Sequence, residues 1–325
     1  MLRVSEGAPS HATRISQSAL DLPFVRDRLT LGLLFPIESY AGDMPMMIGQ
    51  EILAQRAEAL GFTALWFRDV PLRVPSFGDM GQVYDPFVYM AWMAAHTSRI
   101  TLGTAASILP LRHPLHTAKM AASLDQLSKG RILLGVASGD RAQEYPAFRQ
   151  DIETRGEAFQ ESFKIIRDVL GGSFPSFHSE FFGTMSGTSD LLPKPAQPEL
   201  PLLVVGGAQQ DLGWIAQHSR AWVMYPRPIT EQKQVVHAWQ TALRKADGVE
   251  KPFAQSLYID LSEDPNSPPT SIHLGFRSGR NYLLGHLNEL RSIGVSHVLL
   301  NLKYGERPAA DVVEELGAFV IPQLI

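Results

Sequence analysis

Apolar runs and amphipathic runs alternate along this chain from Leu29 onward. Residues 29–35 are almost wholly apolar and are stopped by Pro36. The stretch 46–60 has the spacing of a helix and closes at Gly61, a natural residue for the left-handed position after one. Residues 63–68 form a second strand. After a loop rich in Pro and Gly comes a helix over 85–96, with Asp85 as N-cap and Pro86 in the first turn. The alternation continues with strand 100–108, helix 114–127, strand 131–137, helix 155–170, strand 202–205 and a helix over 211–218. Strand 221–225, helix 230–245, strand 254–261, helix 279–293, strand 296–302 and helix 309–319 complete it.

That makes eight strands, each followed by a helix. Strands that are apolar throughout, rather than at every second position, belong to a buried parallel sheet. Eight such units predict an α/β fold, a (β/α)8 TIM barrel, as one domain over 29–325. The competitor is an open doubly wound sheet, which would carry a glycine-rich fingerprint after its first strand. Pro36-Ile37-Glu38-Ser39-Tyr40 stands there instead. Residues 1–28 are polar and mixed and are expected to be a poorly ordered lead-in. Two long stretches, 172–200 and 262–276, interrupt the repeat. They are read either as lids or as plain surface insertions.

Composition narrows the chemistry. With 29 Lys and Arg against 33 Asp and Glu, the net charge is −4. No general electrostatic grip on nucleic acid or on an anionic membrane follows from that balance. There is no cysteine, which excludes disulfides, thiolate metal sites and a cysteine nucleophile. No apolar window reaches the roughly 18 residues of a membrane span, nor the 7–15 of a secretory signal in residues 1–28. A cytoplasmic protein is expected.

In a barrel, chemistry gathers at the C-terminal strand ends. Arg68 and Asp69 end the second strand. Thr104, Ala105 and Ala106 lie near the end of the third, with Arg112 and His113 just beyond, and Ser138 and Gly139 end the fourth. Small residues there offer a flat floor for a planar ring, or simply let the barrel taper. Gly206 and Gly207 follow the fifth strand, and Ala208, Gln209 and Gln210 are expected to open the next helix. That geometry suits a phosphate, or is only a tight turn. The first strand has no His-x-His pair, and His113 and His116 have no carboxylate cluster beside them, so no metal site is assigned. Ser138 lies in ASGD, not in a nucleophile elbow.

Four stretches resemble the bacterial luciferase-like flavin monooxygenase superfamily. They are Ala57-Glu58-Ala59-Leu60-Gly61-Phe62 with Leu65-Trp66-Phe67-Arg68-Asp69, and Arg99-Ile100-Thr101-Leu102-Gly103-Thr104. The third runs from Arg112-His113-Pro114 through Ser123-Leu124-Asp125-Gln126-Leu127-Ser128-Lys129-Gly130-Arg131 to Ser138-Gly139. The fourth covers 201–207 with Ala221-Trp222. The resemblance covers about 29–325 and implies FMN, or in one branch F420, at the C-terminal mouth. Thr104, Ala105 and Ala106 would line the ring, and Arg112 and His113 would sit at its edge or tail. Ser138 and Gly139 would meet ring or ribityl chain, Tyr145 would reach the phosphate, and Gly206, Gly207, Ala208 and Gln209 would cradle it.

The resemblance further implies a homodimer through helices near strands two and three. The candidate catalytic residues are Arg68, Asp69 and His113. Luciferases carry histidines after strand two, where this chain has Arg68-Asp69-Val70, so light emission from an aldehyde is not expected. Arg68 is expected to orient an anionic substrate or an anionic oxygen species, with Asp69 holding it, or else the two form a structural ion pair. The leading expectation is a monooxygenase that takes reduced FMN from a separate flavin reductase and uses O2 on a small organic substrate. The alternatives are an F420-dependent hydride-transfer enzyme and a non-catalytic flavin binder. The turn 206–210 is uncharged, which favours FMN over the acidic tail of F420.

Overall fold

A computed structural model describes residues 18–324. Its eight core strands are β1 (Thr30–Leu34), β2 (Ala64–Phe67), β3 (Thr101–Thr104), β4 (Ile132–Ala137), β5 (Leu202–Val205), β6 (Trp222–Met224), β7 (Phe253–Leu261) and β8 (His297–Asn301). Each pairs in parallel with the next, and β8 pairs with β1. That last ladder closes the sheet, so the fold is the (β/α)8 barrel and not the open alternative. The helices are α1 (Gln50–Ala59), α2 (Pro86–His96), α3 (Pro114–Ser128), α4 (Arg155–Gly171), α5 (Leu212–His218), α6 (Ile229–Ala246), α7 (Arg280–Ser292) and α8 (Ala309–Glu315). None among the described residues is long and apolar enough to cross a membrane.

The strands are apolar on both faces because both are buried. One face packs on the helices through residues such as Leu31, Leu33, Leu65, Phe67 and Leu134. The other fills the barrel with Leu34, Ala64, Trp66, Leu133, Leu203, Val223, Ala254 and Leu299. Trp66 fits inside because its neighbours are glycines. A Cβ on Gly103 would sit 2.5 Å from its ring, and one on Gly32 2.7 Å from its Nε1.

Three local expectations need correction. Helix α1 starts at Gln50, after Gly49 in a left-handed conformation, not at 46. Glu38 holds the preceding turn by accepting from the amides of Met46 and Met47 at 2.7 and 2.9 Å. The strand expected over 100–108 divides into Thr101–Thr104 and Ser107–Ile108, with a cis peptide between Ala105 and Ala106. Of the lead-in, residues 1–17 lie outside the described residues, while 18–28 pack against the barrel floor. Ala19 is buried there, its N–H donating to Gln197 Oε1 at 2.7 Å and its carbonyl accepting from Thr101 Oγ1 at 3.3 Å.

The two insertions take different places. Residues 172–200 contain an antiparallel hairpin, Ser176–Ser179 with Gly183–Ser186, and lie along α3. His113, Lys119 and Gln126 of that helix bond the carbonyls of Phe182, Leu192 and Lys194 in turn. This insertion clasps the flank of the barrel from rim to floor. The stretch 262–276 leads into a second hairpin, Thr270–Ile272 with Gly275–Ser278, whose later strand pairs with the end of β7. His273 at its turn stands beside Tyr258 and Tyr304 at the mouth.

Candidate active site

Side chains alternate in and out along a strand. Carried past the strand ends, the inward register brings Arg68 of β2, Ala105 of β3, Tyr225 of β6, Tyr258 of β7 and Lys303 of β8 to the C-terminal mouth. The loop 70–84, anchored by the short helix Pro75–Phe77, folds across them. Lys303 Nζ donates to the Gly78 carbonyl at 2.8 Å, and Arg141 Nη2 to the Asp79 carbonyl at 2.8 Å.

Arg68 does not pair with Asp69. Its Nη1 donates to Asp79 Oδ2 at 2.7 Å, and its main-chain N–H to Gln82 Oε1 at 3.3 Å. Asp79 also accepts from the Tyr40 hydroxyl at 2.6 Å. Burial works against the Asp79 carboxylate, but the Arg68 charge and the Tyr40 hydrogen bond hold it well below the usual range. Burial, with Asp79 adding to it, pushes the Tyr40 phenol far up. The pair is therefore an ionised carboxylate with a neutral phenol.

Asp69 serves Arg112 instead. It accepts from Arg112 Nε at 2.7 Å and Nη2 at 2.8 Å, and from the Ile108 amide at 3.1 Å. Arg112 Nη2 also reaches Asp85 at 2.6 Å. Two carboxylates and a fork of donors tie the end of β2 to the starts of α2 and α3. Both Asp69 oxygens thus accept hydrogen bonds from the rim. His113 is the N-cap of α3: its Nδ1 accepts from the Leu115 amide at 3.3 Å, and its Nε2 faces the Phe182 carbonyl at 3.2 Å. Both ring nitrogens have main-chain partners on the rim.

Small residues line this end of the barrel. The Thr104 hydroxyl is spent on the Gly135 carbonyl at 2.6 Å, leaving Ala105 and Ala106 to present backbone and methyl groups. Ser138 is buried, and its carbonyl accepts from the Tyr145 hydroxyl. Burial pushes the Tyr145 phenol up to about 12. Gly139 is needed there: it has φ +83°, and a Cβ would stand 2.9 Å from that hydroxyl. Tyr145 thus spends its hydroxyl proton on Ser138.

That turn departs from expectation in a telling way. Helix α5 begins only at Leu212, and Asp211 caps it by accepting from the Trp214 amide at 2.8 Å. An anion at that helix end would meet a carboxylate. Residues 207–210 are a turn, with Ala208 and Gln209 both left-handed at φ 47° and 58°. Gly206 donates to the Val223 carbonyl and Gln210 to the Gly207 carbonyl, both at 2.8 Å. The amides of Gly207, Ala208 and Gln209 have no internal acceptor among the described residues. A Cβ at Gly206 or Gly207 would face open space. Consecutive amides in such a turn form a concave anion site. The start of α4 abuts it, with Gly156 packed on Gln209 and the buried Arg155 Nε unpartnered. The residues present fit a phosphate.

Asp79, Arg141, Arg155 and Tyr258 were not among the candidates from sequence. Strand alternation carried beyond Leu257 would have flagged Tyr258. Asp79 lies in a Pro- and Gly-rich loop, where no periodicity operates. Arg277 and Arg280, whose loop follows β7, are paired with Asp260 and Glu306, and with Glu315. Among the described residues no group of three or more His, Cys, Asp or Glu could hold a metal ion.

A family model described as luciferase-like monooxygenase matches residues 49–264. An uncharacterized protein of Mycobacterium tuberculosis is 31% identical over 241 residues, covering 68% of this chain and 82% of the relative. The alkanal monooxygenase alpha chain of Photorhabdus luminescens is 25% identical over 172 residues, 53% of this chain and 46% of that one. Among solved structures, a monooxygenase from Streptomyces bottropensis superposes with TM-score 0.76 at 18% identity, covering 91% of this chain and 100% of that chain. An F420-dependent secondary alcohol dehydrogenase in complex with an F420-acetone adduct gives 0.75 at 17%, covering 92% and 99%. The oxygenating constituent of 3,6-diketocamphane monooxygenase from Pseudomonas putida, in complex with FMN, gives 0.72 at 14%, covering 92% and 99%. The family model spans well over half of the chain: this chain belongs to the luciferase-like monooxygenase family.

Proposed function

We propose that this chain is a flavin-dependent monooxygenase that uses reduced FMN and O2 on a small organic substrate. A separate flavin reductase supplies the reduced cofactor. The observation that carries the reading is the turn 207–209, with three unpartnered amides and no charged side chain of its own, set between Arg155 at the start of α4 and the Asp211 cap of α5. That set suits one phosphate and offers little to an acidic tail. FMN bound here supplies the electrons for oxygen chemistry. The amides of Gly207, Ala208 and Gln209 hold its phosphate, with Arg155 balancing charge. Ala105, Ala106, Ser138 and Gly139 give the ring a close-fitting wall. Loop 70–84 and the aromatic side chains of Tyr40, Tyr258 and Tyr304 keep water from the mouth.

A second reading, F420-dependent hydride transfer, is favoured by the F420-dependent dehydrogenase among the structural neighbours. Equilibrium titration of the purified chain with reduced FMN, oxidised FMN and F420 separates the two. Tighter binding of reduced FMN supports the monooxygenase, and selective binding of F420 overturns it. We also propose a homodimer. Val88 and Trp92 on α2 and Leu127 on α3 are large apolar side chains more than half exposed, and they lie on the helices after β2 and β3. Sedimentation velocity should give twice the monomer mass. A monomer that becomes no larger at high concentration contradicts this.

A further inference from the structure

The mouth buries guanidinium donors that the protein does not satisfy. Arg68 uses Nη1 on Asp79, while its Nε and Nη2 are inaccessible to water and have no partner. Arg141 uses Nη2 on the Asp79 carbonyl, and its buried Nη1 is likewise unpartnered. A guanidinium cannot shed its proton to escape this cost. Each orphaned donor forfeits a hydrogen bond it would have made in water. Lys303 adds a third cation, 3.4 Å from Asp79 and buried. Asp79 is the only carboxylate among the described residues that pairs with Arg68 or Lys303. Glu144, on the Arg141 side, is pushed upward by burial and gives its oxygen to the Leu72 amide.

Nε and Nη2 form one edge of the Arg68 guanidinium, the edge that two carboxylate oxygens match. What lies on it now is backbone. A Cβ on Gly81 would stand 2.6 Å from Arg68 Cζ and Nε and 2.7 Å from Nη2, so this backbone packs directly on the guanidinium. Gly78 and Gly81, with φ +67° and +68°, bracket Asp79 and Met80. The segment packs on the group without accepting from it. Beside it, the rings of Tyr258 and Tyr304 are 5.3 Å apart and make an apolar wall.

We propose that Arg68 and Arg141 anchor the carboxylate of a small organic acid, whose apolar body lies against Tyr258 and Tyr304 once segment 79–81 has swung off the guanidinium. This rests on the reading of the mouth as the substrate face of a flavin enzyme, and it names the substrate class. Asp79 is then an internal competitor that holds the anchor closed until an outside carboxylate replaces it.

The test is isothermal titration of the full chain with two matched pairs, benzoate against benzamide and phenylacetate against phenylacetamide. The acids should bind about tenfold or more tighter than the amides. Arg68→Met should erase that preference, and Arg141→Met should reduce it. Asp79→Asn should tighten the acids severalfold and leave the amides unchanged. FMN titration of the same proteins keeps the two readings apart: retained FMN affinity without an acid preference defeats this inference alone. If Arg68→Met does not fold, Asp79→Asn and Arg141→Met decide. Equal binding of acids and amides overturns the proposal, as does an acid preference that survives in Arg68→Met. So does silence of the wild type and Asp79→Asn up to about 10 mM acid.

Discussion

At the floor of the barrel, buried polar atoms form a closed chain of partners. Trp66 Nε1 donates to His297 Nε2 at 2.9 Å, which leaves the proton of that ring on Nδ1, 2.7 Å from Thr30 Oγ1. The Thr30 hydroxyl donates in turn to the Pro23 carbonyl of the floor segment. Gln197 bonds Asp125, the Ile132 carbonyl and the Ala19 amide. At the mouth, Arg68, Arg141 and Arg155 keep buried N–H groups with no acceptor, and three amides of the turn after β5 are open. The same strands run through both ends. Buried polar atoms of Ser162, Gln232 and Gln255 also lack partners, so a missing partner alone does not mark a site; at the mouth it coincides with an open turn and two guanidinium groups.

The floor should behave as a stability element. Trp66→Ala should cost about 3–5 kcal/mol in urea unfolding, because it empties the barrel interior and unpartners His297. Acid gives the second test. Burial lowers His297 from its ordinary 6.5 to about 3, so the folded ring stays neutral where the unfolded one takes a proton. Between those values the unfolded chain binds more protons, and stability falls as pH falls. The slope from this group approaches about 1.4 kcal/mol per pH unit, and His297→Gln should flatten it.

The mouth should answer differently. Gly207 has open space where a Cβ would go and no positive φ, so Gly207→Leu should leave the unfolding midpoint unchanged. It should weaken FMN binding by about tenfold or more, which titration of reduced FMN would show. The smallest effect belongs to the rim. Asp85→Ala removes the cap on the Phe87 and Val88 amides and one of the two partners of Arg112. A loss of about 1 kcal/mol in thermal unfolding is expected, with FMN affinity retained.

Much of this was legible in the sequence. Eight apolar runs, each leading into an amphipathic one, are enough to name a closed barrel, since strand burial on both faces leaves its mark at every position. Asp85-Pro86 and Gly61 mark helix ends by local chemistry, and the structure places them there. The turn at Gly206 was legible as glycine next to a strand. Its detail was not, because the capping of α5 by Asp211 moves the helix start away from the amides. Pairings across loops were out of reach. Nothing local says that Arg68 takes Asp79, eleven residues on, while adjacent Asp69 turns to Arg112. Adjacent residues on a strand point to opposite faces, and that rule alone argued against an Arg68–Asp69 pair.

Amide hydrogen exchange with and without reduced FMN reports on both ends of the barrel at once. Binding should slow exchange at 206–210 and around Ala105 and Ser138, with the floor amides near Ala19, Thr30 and His297 unchanged. Protection confined to the floor, or FMN binding that leaves 206–210 as exposed as before, would contradict this.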